Sequence, residues 1–258
     1  MTPENFEIID SHIHPYISPE ANLEMFGKMP HKEFVSRMKA FGISKACGSV
    51  IKLIADCNIK HITEMNNECL AFRDLYPDFF IPGAQVHPDY PQESCAEIER
   101  LYINEGLRWV GELVGYLTNF NTYVSPGAFE IYALLQKLGL PVNIDAFNIE
   151  EIGTVAEAFP KLNIIIAHPA DGLEVMKKRI SYTVKYPNVH LDIAGHAPDR
   201  WGMLRYAIDT AGKDKFLFGS DFPICNPAVY MAIVDSETLS PEEKQAVFSG
   251  NFKRLTGL

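Results

Sequence analysis

The sequence predicts an α/β fold, a single TIM (β/α)8 barrel over residues 1–258, and three observations lead to this prediction. The chain has 258 residues, close to the length of about 250 that is usual for one such barrel. Short β-rich runs alternate with amphipathic helical stretches, which is typical of parallel strands joined by crossover helices. There are eight β-rich runs, and no glycine-rich phosphate-binding motif favours an open nucleotide-binding sheet instead.

Short β-rich runs are assigned to strands, and stretches with helical periodicity of apolar residues are assigned to helices. The predicted strands are 7–11, 45–51, 79–86, 109–114, 141–145, 163–167, 190–194 and 216–220. The predicted helices are 32–40, 62–75, 95–103, 128–138, 149–158, 173–186, 203–211 and 242–248. Because no linker or change in composition divides the chain, we expect one domain.

Composition and charge narrow the classes of function. The formal net charge is −10, and an acidic surface repels nucleic-acid phosphates, so we expect a small-molecule substrate and no nucleic acid. The five cysteines include no Cys-x-x-Cys pair, which argues against a disulfide framework or a zinc ribbon. The N-terminal residues lack the features of a signal peptide and no apolar run is long enough to span a membrane, so a cytoplasmic location is expected. A homo-oligomer is left open.

Polar residues concentrate at the ends of the predicted strands. In a barrel, chemistry takes place at the carboxyl ends of the strands, so these residues are the candidates for a site. Aspartates and a glutamate accompany them on the fourth, fifth, seventh and eighth strands. Five of the eight histidines fall at such ends: His12, His14, His87, His168 and His196.

The pair His12 and His14 predicts a metal site together with Asp221. Alternate residues of a strand point the same way, so two imidazoles two positions apart can reach one ion. The eighth strand lies beside the first in a closed barrel, which brings Asp221 next to the pair. Two imidazoles, a carboxylate and a water form a sound catalytic metal site.

These motifs resemble those of the amidohydrolase superfamily. The likeness rests on Asp-x-His-x-His at the first strand, on His168, and on the run Gly-Ser-Asp-Phe-Pro that contains Asp221. It is closest to the branch that includes aminocarboxymuconate-semialdehyde decarboxylase, resorcylate decarboxylases and pyrone-dicarboxylate lactonase. The resemblance implies an enzyme with one or two divalent ions, zinc first and manganese second. It also implies that Asp221 and His168 are catalytic, Asp221 accepting a proton and His168 acting as acid, base or electrophile.

Two positions depart from that branch. Asp145 stands where the branch usually carries a metal-binding histidine on the fifth strand, and it is expected to bind metal through oxygen, to orient a water or to contact substrate. Glu112 on the fourth strand resembles the metal-binding glutamate of TatD-type nucleases and phosphotriesterase-like enzymes. An inward glutamate is costly unless it is paired or metal-bound, so Glu112 and Asp145 join the candidate ligands.

Together these features favour a metal-dependent hydrolase that acts on a small amide, lactone or ester through an activated water. The alternative is non-oxidative decarboxylation of a small carboxylic acid at the same metal site. A TatD-type nuclease is disfavoured by the charge, and a non-catalytic barrel with a weakened metal site has only Asp145 in its support. His87, His196 and Arg200 are the candidates for contacts with substrate.

Overall fold

Eight parallel strands form the framework of the molecule. The computed structural model describes residues 6–19, 27–146, 148–195 and 199–258. The strands follow one another around the sheet in chain order, β1 to β8. They are Ile9–Ile13, Lys45–Gly48, Phe80–Ala84, Trp109–Leu113, Val142–Ile144, Ile164–Ile166, Val189–Asp192 and Phe216–Leu217. Every predicted strand is present within a few residues of its expected place.

The two ends of the sheet meet through the segment that follows β8. The amide of Ser11 donates to the carbonyl of Phe218 at 3.0 Å, and the amide of His14 donates to the carbonyl of Phe222 at 2.9 Å. In the other direction, the amide of Asp221 donates to the carbonyl of His12 at 2.8 Å. The prediction of a TIM barrel is therefore confirmed, and Asp221 lies beside the histidine pair as expected.

Helices join the strands and cover the outside of the barrel. The helices α1 to α11 are His31–Ala40, Ile59–Leu75, Pro91–Glu105, Gly115–Thr118, Pro126–Leu138, Ile149–Ala158, Leu173–Lys185, Met203–Ala211, Pro227–Ser236, Pro241–Gln245 and Asn251–Thr256. The predicted helix 242–248 is in fact α10, followed by a π-helical segment over Ala246–Gly250 and then α11. None of the described helices has the length and apolar character needed to cross a membrane.

A layer of apolar side chains closes the amino-terminal end of the barrel. This floor consists of Ile9, Cys47, Trp109, Ile165 and Leu217 from the strands and of Phe252 and Leu255 from α11. The rings of Trp109 and Phe252 lie 5.5 Å apart. Because apolar side chains fill this end, the polar side chains gather at the opposite end, where the strands have their carboxyl ends. That the whole chain is a single domain stays a prediction.

Candidate metal centre

The imidazoles of His12 and His14 converge at the carboxyl end of β1. Their Nε2 atoms are 3.3 Å apart, and both rings are buried. The Nδ1 of His12 lies 2.9 Å from a carboxylate oxygen of Asp192, and the Nδ1 of His14 lies 3.0 Å from the carbonyl oxygen of Ser49. When each Nδ1–H donates to its acceptor, both Nε2 lone pairs face the same space, which is the orientation that a metal ion requires.

Two carboxylates face this pair of nitrogen atoms. The Oε2 of Glu112 lies 3.3 Å from the Nε2 of His12 and 3.4 Å from that of His14. The Oδ1 of Asp221 lies 3.2 Å from the Nε2 of His14 and 3.9 Å from that of His12. Two imidazole nitrogens and two carboxylate oxygens therefore surround one small volume, which is a set of ligands suited to a divalent cation.

The second oxygen of Glu112 faces a different group. Its Oε1 lies 3.0 Å from the Nε2 of His168. Asp145, which is half-buried, offers an oxygen within 4.8 Å of ligand atoms of both Glu112 and His168. The Nδ1 of His168 lies 3.0 Å from the carbonyl oxygen of Ala194, so the Nε2 of this ring also faces the cluster. Glu112 thus stands between two groups of potential ligands, one on each of its oxygens.

The backbone at two of these residues has an unusual conformation. His168 has φ 66° and Asp221 has φ 61°, in the left-handed region that residues with a side chain rarely adopt. Strained backbone of this kind collects at functional sites, where the surrounding structure holds it in place. Gly195 permits the position of the His168 ring, because a Cβ on Gly195 would lie 2.3 Å from the Nδ1 of that ring.

Sequence reasoning assigned no role to three residues that hold the centre together. Asp192 receives hydrogen bonds from the Nδ2 of Asn143 at 2.7 Å and from the amide of His168 at 3.0 Å, in addition to that from His12. Arg179 on α7 donates to the carbonyl oxygens of Ala167 and His168 and so fixes the loop after β6. The position of Asp192 and Asn143 near the ends of their strands was a visible signal, whereas nothing in the sequence marked Arg179.

Charges around Glu112 determine the protonation of the whole cluster. Burial raises the pKa of the Glu112 carboxyl, but the positive charges of His12 and His168 outweigh it and hold that pKa well below its ordinary value. Burial lowers the pKa of His168, but the Glu112 carboxylate outweighs it and brings the value to about 9. Burial, assisted by the Glu112 charge, raises the pKa of Asp145 to about 6. Binding of a cation must therefore displace protons from the imidazoles.

Comparisons with known proteins agree with this arrangement. The family model described as amidohydrolase matches residues 9–258. The chain belongs to the amidohydrolase family. It is accordingly an enzyme on a metal-dependent scaffold, and the resemblance seen in the motifs is confirmed. No curated protein matches the sequence.

Several solved structures share the fold of this amidohydrolase. One is 5-carboxyvanillate decarboxylase from Sphingomonas paucimobilis, with a TM-score of 0.76, 15% identity and coverage of 98% of this chain and 100% of that chain. Another is 2,6-dihydroxybenzoate decarboxylase from Rhizobium, with a TM-score of 0.74, 18% identity and coverage of 98% and 99%. A third, dihydroxybenzoic acid decarboxylase from Polaromonas, was solved with manganese and 2-nitroresorcinol, and has a TM-score of 0.74, 18% identity and coverage of 98% and 97%. At these identities the likeness shows the fold alone.

The residues of this amidohydrolase fit a bound divalent cation. The Oε1 of Glu112 is buried and receives no hydrogen bond of acceptable geometry from the described residues. The described neighbour of this oxygen, the Nε2 of His168 at 3.0 Å, is poorly aligned to donate, so the cost of burying the oxygen is incompletely compensated and a cation on that side would complete the compensation. The candidate ligands His12, His14, Glu112, Asp145 and Asp221 all lie where one or two ions could contact them.

The predicted substrate contacts have different outcomes. Both ring nitrogens of His87 form hydrogen bonds with the backbone. The Nε2 donates to the carbonyl of Thr118 at 2.9 Å, and the Nδ1 accepts from the amide of Asp89 at 3.2 Å. These hydrogen bonds hold two loops together, and a contact between His87 and substrate stays a prediction. Arg200 is exposed and lines a groove between α7 and α8 rather than the metal centre. His196 lies outside the described residues.

Proposed function

We propose that this amidohydrolase hydrolyses a small amide, lactone or ester at a centre that holds two divalent ions. The observation that carries the proposal is the position of Glu112, whose Oε2 faces His12 and His14 while its Oε1 faces His168. A carboxylate with one oxygen toward each of two ligand groups is suited to bridge two cations. Divalent ions in such a site lower the pKa of a bound water and polarise a carbonyl oxygen.

The roles of the remaining residues follow from their places. Asp221 has its Oδ1 beside the histidine pair, so its carboxylate can accept the proton that the attacking water gives up. His168 faces the other side of Glu112, where its Nε2 would hold the second cation, and the proton that Asp221 accepts can return to the leaving group. Asp192 and the carbonyl of Ser49 keep the two histidine rings turned toward the centre. These side chains are buried, which limits the access of water to the centre.

The ligand set favours manganese over zinc. The two groups contain three imidazoles and three carboxylates, and carboxylate oxygens are ligands that manganese accepts readily, whereas zinc prefers nitrogen and sulfur. Asp145 contributes to this balance, because it supplies a charged oxygen where the related branch supplies a neutral nitrogen. The manganese in the Polaromonas decarboxylase supports the same choice.

Decarboxylation of a small carboxylic acid is the second candidate, and the structural neighbours favour it more than hydrolysis. Three decarboxylases cover nearly the whole chain at TM-scores of 0.74 to 0.76. In that reaction the carbon–carbon bond to the carboxylate breaks, carbon dioxide leaves, and an acid such as His168 gives a proton to the carbon. We rank it second because fold likeness does not carry function, whereas the position of Glu112 between two groups of potential ligands belongs to this chain.

The wider setting of the enzyme is part of the proposal. We propose a small-molecule substrate in the cytoplasm, and a nuclease activity stays disfavoured by the net charge of −10. The idea of a non-catalytic barrel is set aside, because the chain belongs to an enzyme family and its candidate ligands converge.

Isotope transfer separates the two reactions. The manganese-loaded protein is incubated with a panel of lactones, esters, amides and hydroxybenzoates in water enriched in ¹⁸O. Hydrolysis places ¹⁸O in the new carboxylate, and Asp221→Asn should abolish it while Asp56→Asn, an exposed control, leaves it unchanged. Release of carbon dioxide with deuterium from D₂O on the product carbon, and no ¹⁸O in a new carboxylate, would overturn hydrolysis in favour of decarboxylation.

A further inference from the structure

A groove of about 340 Å³ lies between α7 and α8, and the metal ligands do not line it. Its floor consists of Met176, Ile180 and Met203, which are buried. Its wall is aromatic: Trp201 is 73% exposed and Tyr206 is 46% exposed. An exposed indole beside buried apolar side chains forms an apolar concave patch, and such patches often mark binding sites.

The charged residues that line this groove are both cations. Lys177 and Arg200 stand among its lining residues, and none of the described residues that line it is an aspartate or a glutamate, although the chain carries a net charge of −10. Lys177 has Glu174 within 3.4 Å, an exposed pair of the kind that contributes little. Arg200 has its Nη2 3.5 Å from the carbonyl oxygen of Asp171. An anion in the groove would meet two positive charges in an otherwise acidic molecule.

We propose that this groove binds a small amphipathic carboxylate. The apolar part of the ligand, an arene or a short acyl chain, packs on Met176 and Met203 beside the indole of Trp201. Its carboxylate lies between the side chains of Lys177 and Arg200. The volume is within the range of about 300–1,000 Å³ that small-molecule pockets occupy, and apolar walls with a few charged groups are usual for them.

The groove is physically connected to the metal centre through α7. Ile180 lines the groove, and its neighbour Arg179 donates hydrogen bonds to the carbonyls of Ala167 and His168. A ligand held against this helix therefore contacts the element that fixes the His168 loop. The binding proposal itself depends only on the groove and is independent of the reaction at the metal centre.

Fluorescence of Trp201 gives a direct test. The chain has two tryptophans, and Trp109 is buried in the barrel floor, so a ligand at the groove should shift the emission of Trp201 to shorter wavelength. The probes are 4-phenylbutanoate and its neutral analogue 4-phenylbutan-1-ol. We expect saturable binding of the acid, at least about five-fold tighter than the alcohol, because two cations near an apolar surface favour the charged probe.

Two variants make the result decisive. The double variant Lys177→Gln, Arg200→Gln should bind both probes equally, while Lys32→Gln, Lys137→Gln, two exposed lysines elsewhere, should keep the preference for the acid. Equal binding of both probes to the unmodified protein, or no saturation up to about 10 mM, would overturn the proposal. Emission of Trp201 that shifts with protein concentration, together with a doubled molar mass, would assign the groove to a second copy of the chain instead.

Discussion

The two ends of the barrel are built on the same strands but hold opposite kinds of side chain. On β1, Ile9 belongs to the apolar floor, whereas His12 faces the metal centre. On β8 and the segment after it, Leu217 belongs to the floor and Asp221 to the centre. A distance of three or four residues along a strand thus separates packing from chemistry.

The contrast distinguishes the end that stabilises the fold from the end at which we propose that function resides. Burial of Trp109, Phe252 and their neighbours removes apolar surface from water and favours folding. Burial of Glu112 and Asp192 costs free energy that only paired charges or a cation compensate. Substitutions at the floor should therefore lower the stability of the fold and leave metal binding intact. Substitutions at the mouth should weaken metal binding and leave the protein folded.

The largest effect is expected for the double variant His12→Ala, His14→Ala. It removes two neutral nitrogen ligands, so bound metal should fall from stoichiometric to background while the protein stays folded. Metal analysis of the purified variant and its circular dichroism check this. The matched control is His31→Ala. The ring of His31 forms a hydrogen bond with the hydroxyl of Tyr76 and is not among the candidate ligands, so this variant should retain the metal. Full metal content in the double variant would remove the basis of the assigned centre.

At the floor, Phe252→Ala should lower the free energy of unfolding by about 3–5 kcal/mol. The side chain is 1% exposed and packs on Trp109, so its loss leaves a cavity. Chemical denaturation measures the stability, and metal analysis should show an unchanged content. Loss of metal without loss of stability would contradict the division between the two ends.

His168→Asn should slow turnover about 10²-fold, the usual scale for removing a general acid or an electrophile. The ion next to His12 and His14 should stay bound, because the Nε2 of His168 faces the other oxygen of Glu112. Steady-state kinetics and metal content are measured on the same sample. A variant that loses all metal would make His168 an indispensable ligand.

The smallest effect concerns His190, a polar residue on β7 near the floor. Burial lowers its pKa to about 3, with further lowering by the charges of Lys215 and Arg254. Between its ordinary pKa of about 6.5 and this value, only the unfolded chain binds the proton, so stability falls as pH decreases, by up to about 1.4 kcal/mol per pH unit. His190→Leu should show a shallower loss between pH 6 and pH 4 in urea titrations. Parallel curves for the two proteins would contradict this reading.

The sequence predicted the barrel because each strand carried its own apolar run and its own polar end. It missed α9, Pro227–Ser236, because that helix is apolar on most of its surface and shows little helical periodicity. It also predicted that His12, His14 and Asp221 lie together, because the eighth strand of a closed barrel is the neighbour of the first.

Side-chain direction and long-range support could not be read in the same way. His87 ends a strand as the ligands do, yet its ring turns to the carbonyl of Thr118. Asp192 and Arg179 act through other residues, and no local motif marks such a role. The spatial closeness of Asp145, Glu112 and His168 depends on three strands whose register is set by the whole barrel.

The position of Glu112 between two cations is the central claim, and anomalous diffraction tests it most directly. Crystals loaded with manganese and measured on both sides of the manganese absorption edge should show two peaks about 3.5–4 Å apart, the separation usual for two-metal sites. One ion should contact His12, His14 and Asp221, the other Asp145 and His168, with one oxygen of Glu112 on each. A single peak that Glu112 does not contact would contradict the account.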